Sequence, residues 1–185
     1  MKIFYTVSLA VVLAVVLAAA LTGCGKGKPE KVKLGNGAFS VEAPPEVGFR
    51  CQILQHATDC NNYNIPNSIE GMEVRLCKGE SKNTTFLTVT GKHADDQQGI
   101  DKNAHQGFAA GWSGCEDAKI ARSEDSTVDG KKAQDFVLTT PLGDGATRVF
   151  VDNGYSVMVL AVPKRERSAE EISRFVNSFR PLTKN

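Results

Sequence analysis

An alternation of apolar and polar residues recurs along the chain and predicts a fold made largely of β-strands. In 38–43, Phe39, Val41 and Ala43 alternate with polar residues, the period-two pattern of a half-buried strand. Similar patterns predict further strands at 71–77, 84–90, 118–128, 131–140, 146–152 and 155–162. The last of these carries apolar side chains on both faces and only Ser156 as a polar residue, so we expect both of its faces to be buried.

Two glycine-containing dipeptides predict how the later strands are joined. Asp129-Gly130 lies between the strands at 118–128 and 131–140, and Asn153-Gly154 lies between the last two strands. Because both dipeptides accept positive φ angles, they are favoured in two-residue hairpin turns. The sequence therefore predicts two tight antiparallel hairpins.

Two other stretches repeat their apolar residues at helical spacing. The first, 98–112, presents its apolar residues every four positions: Ile100, Ala104, Phe108 and Trp112. The second begins after Ser168, which forms a capping box with Glu171, and it cannot continue through Pro181. Its apolar residues are Ile172, Phe175, Val176 and Phe179. Strands and helices together predict the α+β class, an α-β-α sandwich whose central antiparallel sheet carries a helix on each face.

A long apolar block at the N-terminus ends in a cysteine. Residues 9–21 contain only Leu, Val and Ala, the length of a signal-peptide core, and Leu21-Thr22-Gly23-Cys24 resembles the lipobox of bacterial lipoproteins. The resemblance implies that 1–23 is a signal peptide, that Cys24 is lipidated, and that the protein is anchored on the extracytoplasmic face of a bacterial membrane. An uncleaved anchor helix and a soluble secreted protein remain as alternatives, and both also place the domain outside the cytoplasm.

The segment that follows Cys24 carries four lysines and no apolar periodicity. We therefore expect 24–37 to be a flexible basic tether, with a single globular domain at 38–185. The lysines either lie near anionic lipid headgroups or are simply solvated.

Composition and charge narrow the classes of function. Removal of 1–23 takes away one basic residue, Lys2, from the 22 basic and 21 acidic residues, which leaves 21 of each. No net charge therefore directs the mature chain toward nucleic acid.

Four cysteines remain besides Cys24, and an even number in an exported domain indicates disulfides. Three connectivities are possible, and we favour Cys51–Cys60 because the shortest loop costs the least chain entropy, which leaves Cys77 with Cys115. A zinc site built from the same thiols is the alternative, although no Cys-x-x-Cys motif supports it.

Three segments resemble PsbP-like domains. Residues 37–44 (Gly-Ala-Phe-Ser-Val-Glu-Ala-Pro) resemble the opening strand of that family, 154–159 a late central strand, and 175–179 the closing helix. The resemblance implies an α-β-α sandwich with about six antiparallel strands, and it matches no histidine to a metal site. The cysteine-bearing stretch between Cys51 and Cys77 departs from the family pattern.

Few residues suggest catalysis or metal binding. Ser113 lies in Gly111-Trp112-Ser113-Gly114-Cys115, one residue away from the Gly-x-Ser-x-Gly nucleophile motif, but it follows a helix instead of a strand. His93, Asp95 and Asp96 are close enough in sequence to hold a metal, or else they are a solvated polar loop.

Two functional interpretations follow. The first is a non-enzymatic, lipid-anchored accessory or interaction domain without cofactor or metal. It would contact an envelope protein or a small ligand through its exposed surface, which includes the loop between Cys51 and Cys77. The second is a metal-binding protein or hydrolase that uses His93, Asp95, Asp96 or Ser113.

Overall fold

Two antiparallel sheets and a C-terminal helix make up most of the fold. The computed structural model describes residues 28–34, 39–54, 73–92, 106, 109–110, 112–152, 155–166 and 168–182. The strands are β1 (Glu30–Leu34), β2 (Phe39–Ala43), β3 (Arg50–Leu54), β4 (Glu73–Glu80), β5 (Thr84–Lys92), β6 (Lys119–Val128), β7 (Lys131–Thr140), β8 (Gly143–Asp152), β9 (Tyr155–Pro163) and β10 (Arg180–Pro181). The C-terminal helix spans Ala169–Asn177.

The larger sheet contains seven strands in the order β3-β4-β5-β9-β8-β7-β6. Every neighbouring pair in it is antiparallel, and the two predicted hairpins, β6–β7 and β8–β9, are present. At the β6–β7 turn, Asp129 and Gly130 have φ angles of 50° and 78°, which explains why this dipeptide makes the turn. β9 lies between β5 and β8, and residues 156–163 are all buried, so the expectation of a strand covered on both faces is confirmed.

One face of the larger sheet, here called the helix side, is covered by the C-terminal helix and a second sheet. The second sheet has three strands in the order β1-β2-β10. Phe175 and Phe179 are 0% and 1% exposed in the core beneath them. The ring of Phe179 stacks on Phe39 at 5.7 Å between centroids, and that of Phe175 lies 4.8 Å from Phe86. Aromatic packing therefore attaches the end of the chain to both sheets.

The opposite face, here called the tryptophan side, buries a separate core around Trp112. Its members from the sheet include Leu76, Leu87, Phe136 and Leu160. Trp112 is 1% exposed, and the described residues near it, 109–110 and 112–114, are helical. Most of the helix predicted for 98–112 lies outside the described residues.

The prediction of an α+β fold is confirmed, and its details need correction. The central sheet has seven strands where about six were expected, and the helix side carries a three-stranded sheet in addition to a helix. β3 was missed because Arg50–Leu54 is an edge strand with exposed residues 51–53, which gives no alternating pattern. β10 was missed because two residues are too few to show a period.

The prediction of a flexible tether over 24–37 is wrong for Glu30–Leu34, which forms β1. This strand pairs with β2, placing Lys31 opposite Glu42 and Val32 opposite Val41. Val32 packs against the helix-side core. The pattern was overlooked because Val32 and Leu34 are only two apolar residues among lysines, and the strand acquires its burial from β2.

The start of the C-terminal helix is where the sequence predicts it, but the capping box is not formed. The Ser168 hydroxyl donates to the carbonyl of Arg165 at 3.0 Å and makes no side-chain cap. Glu171 instead accepts hydrogen bonds from Ser81 Oγ at 2.6 Å and Asn83 Nδ2 at 3.4 Å. The glutamate that a local motif assigns to the helix end therefore ties the helix to the β4–β5 turn.

Among the described residues, no helix has the length and apolar character required to cross a bilayer. The apolar block at 9–21 and Cys24 lie outside the described residues.

Candidate functional site

A cleft of about 460 Å³ opens on the helix side, between the C-terminal helix and the β6 edge of the larger sheet. We call it the β6–helix cleft. Its lining residues are Arg122, Glu124, Asp135, Phe136, Val137, Asp144, Gly145, Ala146, Thr147, Ala169, Ile172, Ser173, Val176 and Asn177.

The cleft exists because the C-terminal helix packs over β8, β9, β5 and β2 and stops short of β6. Phe136 and Leu138 of β7 are buried on the tryptophan side. Asp135 and Val137 alternate with them, point to the helix side and remain only half-buried. The floor of the cleft is thus a stretch of sheet that no described element covers.

Arg148 holds the wall of the cleft in place. Its guanidinium donates to both carboxylate oxygens of Asp135, at 2.6 and 2.7 Å. It also donates to the Val176 carbonyl at 3.3 Å and to Asn177 Oδ1 at 3.4 Å. Since Arg148 is 9% exposed, this is a nearly buried cation at the C-terminal end of a helix, where the helix dipole favours positive charge.

Acidic groups slightly outnumber basic ones around the cleft. Arg122 pairs with Glu124 on the same strand, with Nε and Oε1 3.2 Å apart. Glu124 lies directly opposite Asp135 in the β6–β7 register, and Asp144 adds a third carboxylate at the rim. An open, charged cleft with apolar patches from Ile172 and Val176 can bind polar groups.

Among the residues that suggested catalysis, only Ser113 is described, and it does not line this cleft. Ser113 is 0% exposed, and its carbonyl accepts hydrogen bonds from the backbone N–H groups of Glu116 and Ala118, as at a helix end. A buried hydroxyl in that position cannot reach a substrate. His93, Asp95 and Asp96 lie outside the described residues, within which no group of three or more metal-ligating side chains occurs.

The disulfide pairing in the structure is Cys51–Cys77, and the predicted pair Cys51–Cys60 is wrong. Cys51 of β3 lies directly opposite Cys77 of β4, with Cα atoms 4.0 Å apart. Closing the 26-residue loop between Cys51 and Cys77 costs only ~1 kcal/mol more free energy than closing the shorter loop between Cys51 and Cys60. The strand register therefore decides the partner of Cys51. Because Cys77 is bonded to Cys51, the predicted pair Cys77–Cys115 is wrong as well. Cys115 is disulfide-bonded to another cysteine.

Sequence reasoning missed the cleft, although one signal for it was present. Asp135 and Arg148 are each flanked by apolar residues on the helix-side face of their strand, and they stand opposite each other in the β7–β8 register. Two opposite charges at inward positions of adjacent strands indicate a buried ion pair. Their role beside the C-terminal helix follows only from the tertiary packing.

Comparison with known proteins yields structural matches but no sequence match. No family model matches the chain, and no curated protein matches it. The solution structure of cyanobacterial PsbP (CyanoP) from Synechocystis sp. PCC 6803 is similar, with a TM-score of 0.53 and 10% sequence identity. The match covers 86% of this chain and 96% of that one. The fold is therefore PsbP-like, as the three sequence segments predicted.

Proposed function

We propose that the chain is a non-enzymatic, lipid-anchored accessory domain outside the cytoplasm, which binds an envelope protein or a small polar ligand through the β6–helix cleft. The observation that carries the binding role is the cleft itself, an open charged surface whose wall is fixed by Arg148. A volume of about 460 Å³ falls within the range of small-molecule sites.

The compartment is supported by the cysteines. The Cys51–Cys77 disulfide joins two strands of the larger sheet, and disulfides persist in oxidising compartments. The lipobox resemblance at Cys24 supports the anchor independently of the disulfide.

Anchoring is tested by intact mass. The wild-type protein should carry a diacylglycerol adduct on Cys24, and Cys24→Ala should leave a larger, unmodified precursor because neither lipidation nor cleavage can occur. An unmodified wild-type chain that retains Met1 would contradict the anchor.

The binding role is tested by pull-down from detergent-solubilised membranes with two matched variants. Ser173→Arg places a long cation into the cleft, whereas Gln52→Arg makes a similar change on β3, at the other edge of the larger sheet. Both positions are exposed, so both variants should fold. We expect Ser173→Arg to lose the captured partner and Gln52→Arg to keep it; equal capture by both would exclude the cleft as the binding surface.

A further inference from the structure

Among the described residues, no strand pairs with the outer edge of β6. β6 is the last strand of the larger sheet, and within the described part of the chain only β7 pairs with it. Five consecutive residues, Ala121 to Asp125, are exposed, so both faces of the strand reach solvent there. The outward N–H and C=O groups of such a strand can hydrogen-bond with another strand.

The charges on β6 would attract a second copy of the same strand running antiparallel to it. Arg122 and Glu124 lie on the same face, on either side of Ser123, and their charged atoms approach to 3.2 Å. If two copies of β6 pair antiparallel about Ser123, Arg122 of each copy lies opposite Glu124 of the other. Antiparallel pairing centred on Arg122 would instead place two arginines opposite each other, and pairing centred on Glu124 would place two glutamates opposite each other. Either arrangement is destabilising.

A second observation favours an additional cation beside Glu124. Within one chain, Glu124 lies directly opposite Asp135, an unfavourable pair of like charges. Arg148 compensates Asp135 from β8, while the outer side of Glu124 has no strand beside it among the described residues. Arg122 of a second copy would occupy that side, and the row across the joined strands would then read Arg, Glu, Asp, Arg.

We propose that two copies of this chain pair through β6, antiparallel about Ser123, to form one continuous sheet. A two-fold axis perpendicular to the sheet keeps both C-terminal helices on the same side. Because Arg122 and Glu124 line the β6–helix cleft, the two clefts meet at the axis and become one larger surface. The pairing does not depend on the lipid anchor or on any ligand.

Charge exchange tests the pairing on full-length chains that carry two different tags and are co-expressed and purified from membranes in detergent. Two wild-type chains should co-purify. Arg122→Glu should reduce co-purification with itself at least tenfold, and so should Glu124→Arg, because each change places like charges across the axis. The mixture of Arg122→Glu with Glu124→Arg should co-purify as the wild type does, since every opposed pair is again complementary.

The control is the same substitution, arginine to glutamate, at an ion pair away from β6. Arg174 and Glu170 form an exposed pair at 2.7 Å on the C-terminal helix, and Arg174→Glu should leave co-purification unchanged. Recovery in the mixture shows that the single variants are folded. Wild-type chains that do not co-purify, or a mixture that stays as weak as the single variants, would overturn the proposal.

Cross-linking locates the axis independently. Ser123 and Thr127 are both exposed residues of β6. Two copies of residue 123 would face each other at about 5 Å between Cβ atoms, whereas two copies of residue 127 would be ~27 Å apart. Under mild oxidation Ser123→Cys should therefore give a disulfide-linked dimer in membranes, and Thr127→Cys should not. Equal cross-linking of both, or of neither, would contradict pairing about Ser123 whatever ligand the cleft binds.

Discussion

At the scale of single residues, Arg148–Asp135 is the ion pair of the described residues whose loss should cost most. Arg148 is 9% exposed and depends on Asp135 for two of its hydrogen bonds. Removal of one partner of a buried ion pair leaves an uncompensated charge, whereas exposed pairs contribute little. This one interaction also fixes the wall of the β6–helix cleft.

We therefore expect Asp135→Ala to lower the free energy of unfolding by about 3 kcal/mol. The comparison is Glu170→Ala, which breaks the exposed pair with Arg174 and should cost less than about 0.5 kcal/mol. Denaturant melts of both variants measure the difference. Equal losses would show that Arg148 tolerates the absence of its partner.

Glu80 offers a pH-dependent test at the same scale. The hydrogen bond from Lys164 Nζ, 2.6 Å from Glu80 Oε2, together with the charges of Lys164 and Lys78, holds the pKa of the Glu80 carboxyl below its usual value of 4.5. A carboxyl whose pKa is lower in the folded state stabilises the fold above its unfolded pKa. That stabilisation is lost as the pH falls through the folded pKa.

Glu80→Gln should accordingly be less stable than the wild type at pH 7, and the difference should shrink as the pH falls below 4.5 and through the folded pKa. Glu80 and Lys164 side chains are 47% and 40% exposed, so solvent screening limits the difference to about 0.5 kcal/mol. Thermal melts across this pH range measure it. A difference that does not shrink as the pH falls would assign the effect to packing instead of charge.

At the scale of elements, the C-terminal helix and its following strand hold the two sheets together. Phe179 contacts Phe39 of β2 at 5.7 Å and Phe150 of β8 at 5.6 Å between ring centroids. Arg180 and Pro181 then pair with Ser40 and Phe39 of β2. One short segment therefore joins the small sheet to the large one.

Phe179→Ala should cost ~3–5 kcal/mol because it truncates a fully buried aromatic ring shared by both sheets. That is much of the 5–15 kcal/mol margin typical of a domain. Arg180→Ala, an exposed change one residue further along, serves as the comparison and should cost far less. A loss below about 1 kcal/mol for Phe179→Ala would show that the two sheets do not depend on this ring.

The sequence pattern failed to predict three strands for the same reason. β1, β3 and β10 are short and lie at the edge of a sheet, and each gains its hydrogen bonds from a strand distant in sequence or beyond a loop. Local alternation is strongest where one face is buried along a long strand, as in β5, β7 and β9. Short edge strands are decided by their neighbours, which a local pattern does not contain.

At the scale of the whole molecule, the Cys51–Cys77 disulfide joins the two outermost strands at one edge of the larger sheet. Peptide mapping of the native protein should link Cys51 to Cys77. Cys115 is disulfide-bonded too, and Cys60 is its expected partner if Cys24 is lipidated. No thiol should then react with an alkylating agent before reduction.

Reduction should lower the free energy of unfolding by ~2–4 kcal/mol per bridge, because a disulfide mainly restricts the unfolded chain. Chemical denaturation with and without reductant measures this change. Release of stoichiometric zinc, or a Cys51–Cys60 peptide, would contradict the assignment.

The amino-acid sequence by itself determined the elements that depend on local periodicity and local turn chemistry. These include β2, the β6–β7 hairpin with its positive-φ residues, the doubly buried β9 and the C-terminal helix. Each of these follows from residues within a few positions, where the 2.0 and 3.6 periods and the φ preferences of glycine and aspartate act.

Only the tertiary structure decided the cysteine partner, the role of Glu171, the β6–helix cleft and the outer position of β6. Cys77 lies 26 residues from Cys51, and Ser81 lies 90 residues from Glu171, yet strand register and helix docking bring each pair into contact. The free-energy differences between such long-range alternatives are about 1 kcal/mol per loop, so loop length cannot select among them. Strand register and helix docking determine which residues meet, because a shift of register by one residue would turn a buried apolar face toward water.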